Sequence, residues 1–366
     1  MTTWRRGSWL TASAAAAASA VRAARSCIAA GGGMRWTWEP SQAYDALVFA
    51  GPIGLQNSQG TAEDRAFSER IWPTRQKFSR VTSRYHMTLE GTPDALAIAF
   101  DPLQPRTVSD LLHGVRRAAL TAPRPFRDSI ADIESGLRDL VAIGFASYWT
   151  SHALPRITAQ IAARRPEVER TDPAGTVSAF MGVPLDRDVT LLCGAYGSGL
   201  RLRKQRFFVN PSWRVDSLLE TVTEGLMRKT YDQTVKTDPG VKHAIDALRQ
   251  DQFLARRVRV TYDLEGWDWY RFVHESVYQA LEQLLREHLG IATETPQYRW
   301  LTPVTSDLRH VIAPTIYALL RKEGYPGTMR GPFRHTLVRY LAPGGPLSAG
   351  HVEATYRRLV GEPPPP

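Results

Sequence analysis

The stretch that decides the fold runs from residue 188 to residue 229: DVTLLCGAYGSGLRLRKQRFFVNPSWRVDSLLETVTEGLMRK. Its start, Asp188 to Ala195, is an apolar run of strand length and reads as a buried strand. Tyr196-Gly197-Ser198-Gly199 is a turn. Leu200 to Val209 alternates and then ends apolar, as a half-buried strand does. Asn210-Pro211-Ser212 stops it and can cap the next helix. From Trp213 to about Lys229 the spacing becomes helical, with Val215, Leu218, Leu219, Val222 and Leu226 on one stripe. The period of the apolar pattern changes from two to 3.6 within this one stretch, which predicts a small sheet joined to helices.

Outward from there the pattern is almost entirely helical. Downstream, Trp267 to Leu289 carries a second stripe, Tyr270, Val273, Val277, Leu281 and Leu284. Pro239 to Phe253 lies between the two, and Ser306 to Gly324, Phe333 to Leu341 and Ser348 to Leu359 come after them. Upstream, helices are expected over Pro40 to Leu55, Thr61 to Val81 and Thr107 to Leu120. The last opens with a cap at Thr107 to Asp110. A longer helical stretch, Phe126 to about Ala163, has Pro155 as its expected break. Residues 166 to 187 are richer in Pro, Gly and Asp and suggest a boundary. The expected fold class is therefore mainly α (α+β). A helical N-terminal region (34–165) precedes a second domain (166–360) with a sheet of two to four strands. A leader occupies residues 1–33 and a Pro-rich tail residues 361–366.

Composition narrows the classes. The chain has 366 residues, 43% hydrophobic and 22% charged, enough to bury a sizeable core. Its formal net charge is +10, and Arg5, Arg6, Arg22 and Arg25 of the acid-free leader contribute four of those charges. The remaining excess is scattered. It neither runs along one helix nor interleaves with stacking aromatics, so no nucleic-acid partner is expected. Two cysteines, Cys27 and Cys193, exclude a disulfide framework and a Cys-rich zinc site. The leader has a basic start, an Ala-rich stretch and small residues, with Arg5-Arg6 ahead of Trp9-Leu10, the layout of an export signal. A second reading starts translation at Met34. The first implies a periplasmic or extracellular protein and the second a cytoplasmic one. No segment is apolar for long enough to be an integral membrane span.

The helix after the strands reads Leu219-Glu220-Thr221-Val222-Thr223-Glu224-Gly225-Leu226-Met227. Residues 220, 223, 224 and 227 share one face. The later helix reads Phe272-Val273-His274-Glu275-Ser276-Val277-Tyr278-Gln279-Ala280. A zinc peptidase needs two His four apart on a helix, a Glu beside the first to activate the metal-bound water, and a third ligand from elsewhere. The order strand, turn, strand, helix, insertion, helix resembles a gluzincin-like family of zinc metallopeptidases of uncertain function. The likeness covers roughly residues 188 to 290. It rests on the turn Gly194-Ala195-Tyr196-Gly197 and on a later helix with Glu275 and Ala280. The resemblance implies a zincin-like half. In it Glu224 would be the catalytic base, Glu275, beside His274, a metal ligand, and Tyr196 and Gly197 part of a substrate-aligning strand. The departure is large. Thr223 and Met227 stand where the two His would be, so the zinc motif is degenerate.

A second register takes His274-Glu275-Ser276-Val277-Tyr278 as the zinc signature, with Tyr278 replacing the second His and Glu282 and His288 as further ligands. The cofactor expectation is accordingly none or zinc. Three functions remain open. The first is a degenerate, non-catalytic metallopeptidase-like protein that binds a peptide or protein. The second is a metal-dependent hydrolase with an atypical site built from Glu224, His274 and Glu275. The third is an exported structural or binding protein unrelated to zincins.

Overall fold

A computed structural model describes residues 33–50, 61–85, 91–265, 268–291, 311–328 and 331–361. In chain order the elements begin with β1 (Arg35–Pro40), α1 (Gln42–Ala50), α2 (Ala62–Arg70), α3 (Trp72–Tyr85), α4 (Gly91–Phe100) and α5 (Val108–Ala119). Then come α6 (Arg124–Arg127), α7 (Ile130–Ala142), α8 (Phe145–Tyr148), a π-helical turn at Trp149–Ala153, α9 (Leu154–Val168) and α10 (Pro173–Met181). The strands β2 (Asp188–Cys193), β3 (Leu200–Arg201) and β4 (Arg206–Val209) are next. The remainder is helical: α11 (Val215–Thr234), α12 (Pro239–Ala247), α13 (Gln252–Glu265), α14 (Trp269–Leu289), α15 (Ile312–Lys322), α16 (Phe333–Leu341) and α17 (Val352–Leu359). The protein is mainly α with one small mixed sheet. No helix among the described residues is long and apolar enough to cross a membrane.

The chain divides into two compact bodies. The first is Arg35–Thr171 with Asp188–Gly225, and the second is built from Asp172–Arg187 and Leu226–Pro366. The division therefore interleaves the chain.

The first body holds the sheet, in the order β1-β2-β4-β3. β1 pairs with β2 and β2 with β4 in parallel, and β3 pairs with β4 antiparallel. β1 was not expected from the sequence, yet it is paired along its length, Trp36 with Val189 and Trp38 with Leu191. Its exposure pattern explains why it was missed: Trp36 is buried, whereas Arg35, Thr37, Glu39 and Pro40 face solvent. The single strand expected over 200–209 is a hairpin. Lys204 and Gln205 adopt left-handed backbone angles (φ 54° and 55°) that turn the chain before Arg206. The helical stretch expected over 126–163 breaks at Asp128–Ser129 and at Gly144 (φ 79°), not at Pro155. Pro155 follows the π-helical turn Trp149–Ala153, and the chain stays helical through it. Thr61 to Val81 is two helices, α2 and α3, which meet at Ile71. Parts of two expected helices, 51–55 and 306–310, lie outside the described residues, as do the leader over residues 1–32 and the tail over 362–366.

The core of the first body gathers Tyr44, Leu47 and Phe49 of α1 with Phe78, Phe100, Leu137, Phe145, Phe207 and Phe208. In the second body the α14 stripe buries Phe272, Val273, Val277 and Leu281, and Ile316 and Leu320 of α15 are also in the core.

Candidate functional site

The second body holds the residues of the later helix. His274 is 7% exposed, and its Nδ1 is 3.0 Å from the Tyr231 hydroxyl of α11. The two rings meet edge to face at 5.8 Å. Burial pushes the His274 pKa down to about 4. Lys236 adds to the shift, and Asp232, Glu275 and Asp268 oppose it. The imidazole is therefore neutral at pH 7. Glu275 does not stand free. Arg228, three residues ahead of Tyr231 on α11, donates from Nη1 to Oε1 and from Nη2 to Oε2, both at 3.0 Å. This is the bidentate fork that matches a guanidinium to a carboxylate. The same guanidinium lies 4.0 Å from the centroid of the Tyr278 ring. Burial works to lower the Arg228 pKa, and the Glu275 hydrogen bonds outweigh it and raise it.

These residues do not fit a zinc ion. A metal would have to displace Arg228 to use Glu275. Met227 is fully buried and offers only a thioether. In the alternative register Tyr278 lies beneath Arg228, Glu282 pairs with Arg286 at 3.0 Å, and His288 packs edge-on against Phe180 at 5.3 Å. Among the described residues no three His, Cys, Asp or Glu side chains form a group that could hold a metal.

The first body holds the remaining sequence candidates. Thr223 is 2% exposed with an unbonded hydroxyl, and Glu224 is half-buried. Gly225 explains itself: a Cβ there would overlap the Phe207 ring and lie 3.2 Å from Arg201 Cδ. Arg201 Nη1 in turn donates to the Gly225 carbonyl at 3.0 Å. The helix gives up propensity at this position so that β3 and β4 can pack against it. Tyr196 and Gly197 lie in the turn after β2, not in a strand. Gly197 is pressed so closely on the Val209 and Asn210 backbone that no Cβ fits.

Sequence reasoning missed the polar cluster around that turn. Asp45 of α1 is fully buried. Its Oδ2 accepts from Trp149 Nε1 (2.9 Å) and from the Ala195 amide (3.0 Å), and its Oδ1 accepts from the Tyr196 amide (3.0 Å). Burial raises its pKa to about 6, against those three hydrogen bonds and the charge of Arg156. Asp64, the third residue of α2 and partner of its N-cap Thr61 in a capping box, accepts from the Thr61 amide (2.9 Å), from Arg156 Nη1 (2.7 Å) and Nη2 (3.4 Å), and from the Tyr148 hydroxyl. Burial would raise its pKa, but the Arg156, Tyr148 and Thr61 bonds prevail and lower it. The π-helical turn at Trp149–Ala153 begins between the two bonded residues, Tyr148 and Trp149. Such turns mark functional sites often enough to direct attention here. One signal was present in the sequence: Asp45 is the lone charge in the apolar run Tyr44-Asp45-Ala46-Leu47-Val48-Phe49.

No protein-family model, no curated protein and no solved structure matches this chain.

Proposed function

We propose that the chain is a non-catalytic, metallopeptidase-like protein that binds a peptide or protein instead of cleaving one. The observation that carries this reading is the Arg228 fork on Glu275. A carboxylate holding a guanidinium through both oxygens is not available to a metal. Without the metal, the lowered water pKa that this hydrolysis needs is not generated. Thr223 and Met227, buried at the positions the resemblance assigns to the two His, support the same conclusion. A hydrolase built on Glu224, His274 and Glu275 would need Arg228 to release Glu275 first.

The test begins with protein purified without chelator or affinity metal. Metal content is measured by mass spectrometry, zinc affinity by calorimetry and hydrolysis with a fluorogenic peptide mixture. The expected outcome is no stoichiometric metal, no saturable zinc binding and no cleavage. A peptide display screen is expected to yield ligands whose binding is unchanged by chelator. Zinc bound near one equivalent, with cleavage lost in Glu224→Gln, would overturn the proposal.

A further inference from the structure

We propose that Arg75 and Tyr196 form a binding site in the first body for a small oxyanion, a carboxylate or a phosphate group. The balance of donors and acceptors in the first body carries it, independently of the function proposed from the second body.

The two buried carboxylates nearby are already taken. Asp45 accepts three N–H groups. Asp64 accepts from Thr61, Tyr148 and both terminal nitrogens of Arg156. Arg75 carries five N–H donors in a planar fork suited to an oxyanion. It uses one, from Nη2 to the Phe49 carbonyl at 3.3 Å. Among the described residues its Nε, shielded from solvent, has no partner, and Arg75 has no ion pair. The Tyr196 hydroxyl is buried as well. It lies near Asp64, Tyr148 and Arg156, yet it meets the hydrogen-bond geometry of none of them.

The two unsatisfied groups flank one side chain. Arg75 Cζ lies 5.9 Å from the Phe49 ring centroid, and the Tyr196 ring centroid lies 5.1 Å from it. Burial depresses the Arg75 pKa, and the Tyr196 phenol partly opposes that. Buried donors left unmade destabilise a fold, and native proteins keep few of them. Here both residues lie against the Phe49 ring, and one of them is a cation. An oxyanion would satisfy both, with the guanidinium forked onto two of its oxygens and the phenol O–H donating to one of them. Arg156 neutralises Asp64, so that carboxylate does not repel the ligand. Asp45 is the other negative charge of the cluster, and binding should tighten as it takes up its proton.

The test uses the full chain with inorganic phosphate and acetate as probes at constant ionic strength, read by calorimetry and by the thermal midpoint. Saturable binding of at least one probe is expected. Arg75→Met should abolish it, and Tyr196→Phe, which keeps the ring against Phe49, should weaken it at least tenfold. Phosphate alone, or acetate alone, would identify the class. In probe-free buffer Arg75→Met should melt at the wild-type temperature or above, because it removes a half-buried cation whose Nε has no partner. No saturable binding of either probe, undiminished binding in Arg75→Met, or a clear fall in its probe-free midpoint would overturn the assignment. The last result would make Arg75 a structural contact.

Discussion

Asp45 should make the first body more stable at mildly acidic pH than at neutral pH. Its carboxyl has a folded pKa of about 6 against an ordinary value of 3.8. A group whose folded pKa lies above its unfolded one binds its proton more tightly when folded. The stability it contributes is fully present below the unfolded value and is lost as pH rises through the folded value. Between pH 7 and pH 4.5 the linkage relation gives a gain of about 2 kcal/mol from this residue alone. The charged and titratable groups around it are Arg156, the Tyr196 phenol and the Cys193 thiol, and none of them is expected to change charge in that range. Asp45→Asn isolates the effect. Its single carbonyl oxygen can still accept from Trp149 and Ala195, but its NH2 would face the Tyr196 amide, a loss of about 1–3 kcal/mol at both pH values. The assay is urea unfolding of both proteins at pH 7 and pH 4.5. Hydrogen exchange of the Ala195 and Tyr196 amides would give the local reading. The wild type should gain relative to the variant by about 2 kcal/mol on acidification. Equal pH dependence in the two proteins would refute the claim that burial outweighs the three hydrogen bonds.

Three further outcomes are expected. His274 behaves in the opposite sense. Its pKa is lowered to about 4 by burial, so its contribution is lost as pH falls from 6.5 toward 4, and His274→Gln should flatten that acid limb in a pH series of unfolding curves. Gly225→Ala should destabilise by about 1–3 kcal/mol despite better helix propensity, since the added methyl overlaps Phe207, and calorimetric melting would measure it. Arg228→Met should cost about 1–2 kcal/mol in chemical unfolding by leaving Glu275 unpaired, a figure reduced for the partial exposure of Arg228. A double variant with Glu275→Gln should recover most of that loss, and a lack of recovery would show that the pair does not act as a unit.

Much of the fold was legible because it is written in local period. The stripes Val215 to Leu226 and Tyr270 to Leu284 gave α11 and α14, and the apolar run after Asp188 gave β2. The β3–β4 hairpin was not legible, because Lys204 and Gln205 are not residues that announce a left-handed turn. The break at Gly144 was hidden for a related reason, since the nearby proline was the more conspicuous breaker, and the π-helical turn before it carries the helix past it. The site was legible only as a set of residue types. His274, Glu275 and Glu224 could be named, but not the groups that each one faces.

The sequence by itself determined the helical class, the place of the principal strands in the chain and the loss of both His from the expected zinc helix. These depend on residue identity and on spacing within a few turns of backbone. The tertiary structure alone decided that β1 pairs with a strand more than a hundred residues away, that Arg228 takes Glu275, and that Asp45, Asp64, Tyr148 and Arg156 gather around Tyr196. Each of these is a contact between side chains or strands far apart in sequence. A hydrogen bond or ion pair depends on distance and angle in space, which no local pattern of residues encodes.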